Sequence, residues 1–146
     1  MSVASADPGG AIVKLALQIV GALLAVFVAL VIITGSSLVG EVVTLHTQDA
    51  EGAWQTTPLW IVDARDGTYL RAGQPDSGWL VRLRANPDVK LERDGQTQPV
   101  RLVETPEAVA AVNSMMNGKY GWADDFVGLM AGDRSQALPL KVEAGP

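Results

Sequence analysis

Two clusters in this chain combine residue types and spacing that could serve chemistry. The first is Thr56-Thr57-Pro58-Leu59-Trp60, within a run of β-forming residues. A proline in a strand has no N–H to give a neighbour, so backbone groups and hydroxyls there are free to face a ligand; the alternative is an ordinary edge strand. The second is Arg71-Ala72-Gly73, followed by Gly78-Trp79, Arg82 and Arg84. Small residues let a ligand approach the backbone closely, and guanidinium forks match phosphate or carboxylate. The alternative there is an ion-pair helix lying over a core tryptophan.

Much other chemistry is excluded. The chain has no cysteine and one histidine, His46. Disulfides, thiolate catalysis, cysteine-ligated zinc or iron–sulfur clusters and multi-histidine metal sites are therefore out of reach, and no metal is expected. A serine–histidine triad would need His46, which reads as a half-exposed strand residue. Asp124 and Asp125 are adjacent on a helix, so they point about 100° apart and cannot share a proton. They read as a solvated face. No GxGxxG or Walker loop is present. The net charge is −5, with Asp7 and Lys14 cancelling near the N-terminus. An acidic domain argues against nucleic acid and against a polybasic grip on anionic lipid.

The elements that must position these residues follow from periodicity and turns. Val39–Thr47 is β-rich, with Val43 and Leu45 alternating against Thr44 and His46. Gln55–Val62 is a second strand, in which Pro58 belongs at an edge or bulge. Asp66-Gly67 is a hairpin signal, and Thr68–Arg71 returns. Asp76 or Ser77 can cap a short helix, Gly78–Ala85, with Trp79, Leu80 and Leu83 on one face. Val89–Arg93 and Thr97–Glu104 are strands around an Asp94-Gly95 turn. Thr105-Pro106-Glu107 opens a helix whose buried face is Val109, Val112 and Met116, interrupted at Gly118. Trp122, Phe126 and Leu129 mark a further short helix closed by Gly132. Leu138, Leu140 and Val142 alternate in a last strand. The order β-β-β-α-β-β-α-α-β, with short antiparallel strands and tight turns, predicts a small closed or partly open barrel.

Upstream lies Leu15–Ile33, without a charge and apolar on every face. As a helix it is close to the thickness of a bilayer core. The expected organisation is a disordered tail (1–10), a transmembrane helix (11–34), a linker (35–41) and a β domain (42–146). A core helix would keep a polar stripe. A signal peptide has a shorter apolar region, although cleavage near Gly35–Ser37 is the alternative kept open. Lys14 favours an external domain by the positive-inside rule; the side remains open.

Thr57-Pro58-Leu59-Trp60, then Gly78-Trp79, then Leu83-Arg84-Ala85-Asn86-Pro87-Asp88-Val89 resembles the deazaflavin-dependent nitroreductase and quinone reductase family. Lys119-Tyr120-Gly121-Trp122-Ala123-Asp124, Gly132-Asp133-Arg134 and the Leu138–Val142 strand are similar to membrane-anchored members. The likeness spans Val42 to Val142. It implies a split β-barrel related to the flavin-binding pyridoxamine-phosphate-oxidase-like fold. It also implies a deazaflavin or FMN cofactor, its ring against Thr57–Trp60 and its phosphate near the first hairpin and the Ala72–Trp79 loop. Thr56, Thr57, Pro58, Leu59, Trp60, Arg71, Ala72, Gly73, Trp79 and Arg82 would then line the cofactor. Tyr120 would be the substrate-facing catalytic aromatic, the alternative being a packing tyrosine. A homodimer is implied by the resemblance alone.

One departure stands out. The family's first hairpin is basic, whereas Gln48-Asp49-Ala50-Glu51-Gly52-Ala53 is acidic. Carboxylates beside a phosphate oppose binding. The tail would then fall to Arg71, Arg82 or Arg84, another flavin would be used, or the cofactor is lost. The resulting expectation is a membrane-anchored oxidoreductase acting on a lipophilic acceptor such as a quinone, nitro compound or activated alkene. The alternative is a non-enzymatic, membrane-tethered module binding a hydrophobic ligand or a partner protein.

Overall fold

A computed structural model describes residues 8–34, 40–132 and 134–146. The expected tail (through residue 7) and most of the expected linker (35–39) lie outside the described residues. The chain divides into two units, 1–33 and 34–146.

In the first unit, helix α1 runs Pro8–Thr34, starting earlier than the sequence suggests. Pro8 is tolerated because the first turn has no intrahelical acceptor to lose. Its Ile12–Ile32 stretch is long and apolar enough to cross a membrane, and none of it is buried in protein. That all-round exposure of apolar side chains is the opposite of a soluble core helix.

In the second unit the strands are β1 (Val42–Gln48), β2 (Trp54–Ala64), β3 (Gly67–Ala72), β4 (Val89–Arg93), β5 (Gln96–Glu104) and β6 (Leu138–Ala144). They close an antiparallel barrel in the order β1-β2-β3-β6-β5-β4. Helix α2 (Gly78–Ala85) joins β3 to β4; α3 (Val109–Tyr120) and α4 (Trp122–Ala131) join β5 to β6. Alternation sorts the strand residues. Val43, Leu45, Ile61, Leu70, Leu91, Val100 and Leu140 fill the barrel, together with Trp79, Leu80 and Leu83 of α2. Val62 and Tyr69, one step out of phase with Ile61 and Leu70, form a second cluster with Val112, Met116 and Tyr120 of α3. The α3 helix thus covers the outer face of β2 and β3.

Turn and cap details differ in places from the sequence reading. Asp94 and Gly95 both take positive φ (53° and 74°), as a two-residue hairpin requires. Gly118 does not interrupt α3; the break is at Gly121, where φ is +54°. Ser77 precedes α2 without capping it, because its hydroxyl donates to the Gln74 carbonyl at 2.7 Å. Thr105 likewise bonds the Pro139 carbonyl at 3.2 Å, and a 3-10 turn (Pro106–Ala108) leads into α3.

Candidate functional site

The site begins with β2, which has two different neighbours along its length. Residues 54–60 pair with β1, from Gln48↔Trp54 to Val42↔Trp60. Residues 61–64 pair with β3. Among the described residues, no strand covers the other edge of 54–60. Tyr120 fixes which backbone groups face that edge. Its hydroxyl accepts from the Ile61 N–H (3.0 Å) and can donate to the carbonyl of Ile61 (2.8 Å) or Glu41 (2.6 Å). Glu41 precedes Val42 on the β1 side, so Ile61 directs its backbone toward β1. Successive residues alternate, so Thr57 and Leu59 also bond toward β1, while Thr56 and Pro58 turn to the open edge. Pro58 therefore sacrifices no ladder bond, as its expected edge placement demands.

Side chains split the same segment between two faces. Leu59 packs on the barrel core and Trp60 on the outer cluster. Thr57 shares the face of Leu59. Arg82, on the polar side of α2, donates from Nε to the Thr47 hydroxyl at 2.8 Å and from Nη2 to the Thr57 hydroxyl at 3.4 Å. Thr47 is fully buried. Arg71, Arg84, Arg93 and Arg134 all reach carboxylates. Among the described residues, Arg82 is the half-buried arginine with no carboxylate within ion-pair distance. Its guanidinium is held by two neutral hydroxyls and keeps donors for an anion.

The acidic hairpin has an internal explanation. The Asp49 carboxylate accepts from Gln55 Nε2 (2.8 Å), Ala53 N–H (2.8 Å) and Glu51 N–H (3.2 Å). The bond from Gln55, then that from Ala53, hold its carboxyl below the ordinary aspartate range. Asp49 builds its own turn, and its carboxylate is also within electrostatic reach of Arg82. Gln48 is likewise engaged, accepting from Asn86 at 2.5 Å.

Other expected site residues are not brought together. Ala72 and Trp79 are buried in the barrel core. Gly73 is half-buried in the loop after β3. Arg71 faces outward, ion-paired with Asp124, and donates to Asn113 at 3.1 Å. Its side chain is 7% exposed. Burial pushes its guanidinium down from the ordinary arginine value, against the pull of Asp124. Arg134 adds a second cation to Asp124 at 2.6 Å. This corrects the reading of Asp124 as solvated: it is 4% exposed and ties α4 to β3, whereas Asp125 is exposed.

Tyr120, expected to face substrate or to pack, lies in the outer cluster. It is 3% exposed and stacked on Trp60 with ring centroids 4.5 Å apart. Its hydroxyl is saturated by Ile61 and Glu41, and burial raises its pKa. Its ring packs on Trp60 and its hydroxyl bridges Glu41 and Ile61 at the end of the β1–β2 ladder. Thr47 and Arg134 were missed by sequence reasoning. A signal for Thr47 exists, since it is a polar residue in phase with Val43 and Leu45. His46 is half-buried on β1, 3.4 Å from Glu92. Beyond the hairpin, Trp54, Lys90, Val100 and Gly145 help line a groove of about 700 Å3.

No protein-family model matches the chain, and no curated protein matches it in sequence. Solved structures do. The heme storage protein HutZ of Vibrio cholerae matches with TM-score 0.54 and 15% identity over 73% of this chain and 82% of that one. An F420-H2-dependent reductase matches with TM-score 0.50 and 20% identity over 70% and 94%. A conserved hypothetical protein from Mycobacterium tuberculosis matches with TM-score 0.52 and 20% identity over 72% and 73%. The domain is a split β-barrel. Its neighbours share that architecture and differ in what they are described as doing, so activity must be argued from this chain's own residues.

Proposed function

We propose that this chain is a membrane-tethered split-barrel oxidoreductase. It would hold a deazaflavin or flavin along the open edge of β2 and reduce a lipophilic acceptor such as a quinone, nitro compound or activated alkene. The observation that carries this reading is Arg82, a half-buried guanidinium that makes no ion-pair contact with a carboxylate among the described residues, beside a strand segment that they pair on one side only. A fold shared with an F420-H2-dependent reductase supports it.

The residues present fit an anionic, ring-bearing cofactor in part. Arg82 supplies the cation for its tail, and the hydroxyls of Thr47 and Thr57 fix the guanidinium. Thr56 and the Pro58 carbonyl offer backbone groups at the edge. When bound, such a cofactor supplies hydride chemistry, and the protein supplies position and electrostatics. The α1 helix would keep the domain beside the phase in which lipophilic acceptors dissolve, raising their effective concentration. A homodimer remains part of the proposal.

The sealed Tyr120 hydroxyl favours a second reading, a tethered binding module without catalysis, because it removes the expected proton donor. The absorption spectrum of the full chain purified in detergent separates the two. A copurifying flavin or deazaflavin, or a tight complex on adding one, supports the reductase. A chain that binds neither overturns the reductase and leaves the binding module as the reading to test.

A further inference from the structure

Helix α4 carries an apolar stripe that the barrel does not use. Trp122, Phe126, Leu129 and Met130 recur at helical spacing along Trp122–Ala131. Trp122 is 57% exposed, Leu129 82% and Met130 55%. The residues that fasten the helix lie elsewhere: Ala123 and Asp124 are buried, and Asp124 holds Arg71. The helix has no lysine or arginine; its exposed acid, Asp125, falls between Trp122 and Leu129 at helical spacing and accepts from Asn117 Nδ2 at 2.7 Å.

The first described residue of the barrel domain lies beside the junction that leads into this helix. Gly40, the first described residue after the connecting segment, lies against the Tyr120 ring; a Cβ there would come within 2.6 Å of it. Tyr120 ends α3, and Trp122 begins α4 after Gly121. We infer that the exposed face of α4 docks into the bilayer surface in which α1 is anchored, with Trp122 at headgroup level and Leu129 and Met130 below it. This rests on α1 being a bilayer anchor. Tryptophan rings settle at the membrane interface, where Asp125 beside Trp122 stays hydrated, and apolar side chains insert without anionic lipid. A second copy of the chain is a poorer occupant. These few side chains would bury only a few hundred Å2, against roughly 800 Å2 per partner in a stable interface.

The chain has no cysteine, so single labels report cleanly. Leu129→Cys and, as a reference in the β1–β2 turn, Ala50→Cys are spin-labelled in the full chain. Each is reconstituted into phosphatidylcholine vesicles. At position 129 the label should show an oxygen-to-nickel-chelate accessibility ratio several-fold above that at position 50. Equal accessibility in vesicles that still retain the protein through flotation and alkaline washing overturns the docking face and leaves the anchor standing. Protein lost on washing overturns the anchor, and the docking face with it. Spin–spin broadening between labels at 129 assigns the face to a second copy and overturns lipid docking.

Discussion

Tyr120, Asp124 and Arg82 carry three separable claims at the scale of single residues. Tyr120→Phe removes the hydroxyl that satisfies the Ile61 N–H. It should cost about 1–3 kcal/mol, because a buried donor is left without a partner. Denaturant unfolding should show that loss with cofactor affinity unchanged; unchanged stability with weakened reduction would restore Tyr120 as a catalytic group. Asp124→Ala leaves Arg71 buried without a counter-ion, a loss of about 3–5 kcal/mol. Thermal unfolding should register it as among the most damaging surface-helix changes. Arg82→Ala removes the cation proposed for the cofactor tail, and affinity should fall about tenfold or more, the cost of a charged hydrogen bond. Arg82→Lys should rescue only part of it, since an ammonium does not reproduce the guanidinium fork. Spectroscopic titration reads both variants.

Much was legible at the scale of elements, because it is written locally. Asp94-Gly95 and Asp66-Gly67 mark hairpins by conformational preference, and Pro58 marks an unpaired edge by its missing donor. Helix α2 spans Gly78–Ala85, where turn residues before it and Asn86-Pro87 after it place its ends. What escaped depends on partners distant in sequence. Adjacent acids such as Asp124 and Asp125 look solvated until β3 supplies Arg71, 53 residues away. Tyr120 looks substrate-facing until Trp60 stacks on it. Arg71 and Arg82 are indistinguishable as types; only the fold gives one a carboxylate and the other two hydroxyls. Thr56–Trp60 read as one ligand-facing run, but strand alternation divides it between core, outer cluster and edge.

The whole domain is closed near its entry by a charge network. Arg93 donates to Glu41 at 2.6 Å and to Asp63 at 2.6 and 3.0 Å, and Lys119 also reaches Glu41 at 2.6 Å. The Arg93 bonds hold Asp63 at a pKa of about 2, from an ordinary 3.8. A carboxyl whose folded pKa is depressed stabilises the fold above its unfolded value and loses that contribution as pH falls through the folded one. The domain should therefore weaken between about pH 4 and pH 2. Asp63→Asn should flatten the unfolding temperature across that window; an unaltered acid limb would mean that the pair contributes nothing. Because Asp63 is half exposed, the effect should be modest and smaller in high salt.

Titrating the detergent-solubilised full chain with a deazaflavin coenzyme and with FMN, beside the Arg82→Ala variant, tests the central claim most directly. Saturable binding of one of the two is expected, with a marked loss of that binding in the variant. Binding of neither, or equal binding by both proteins, would contradict a cofactor seated on the open edge of β2.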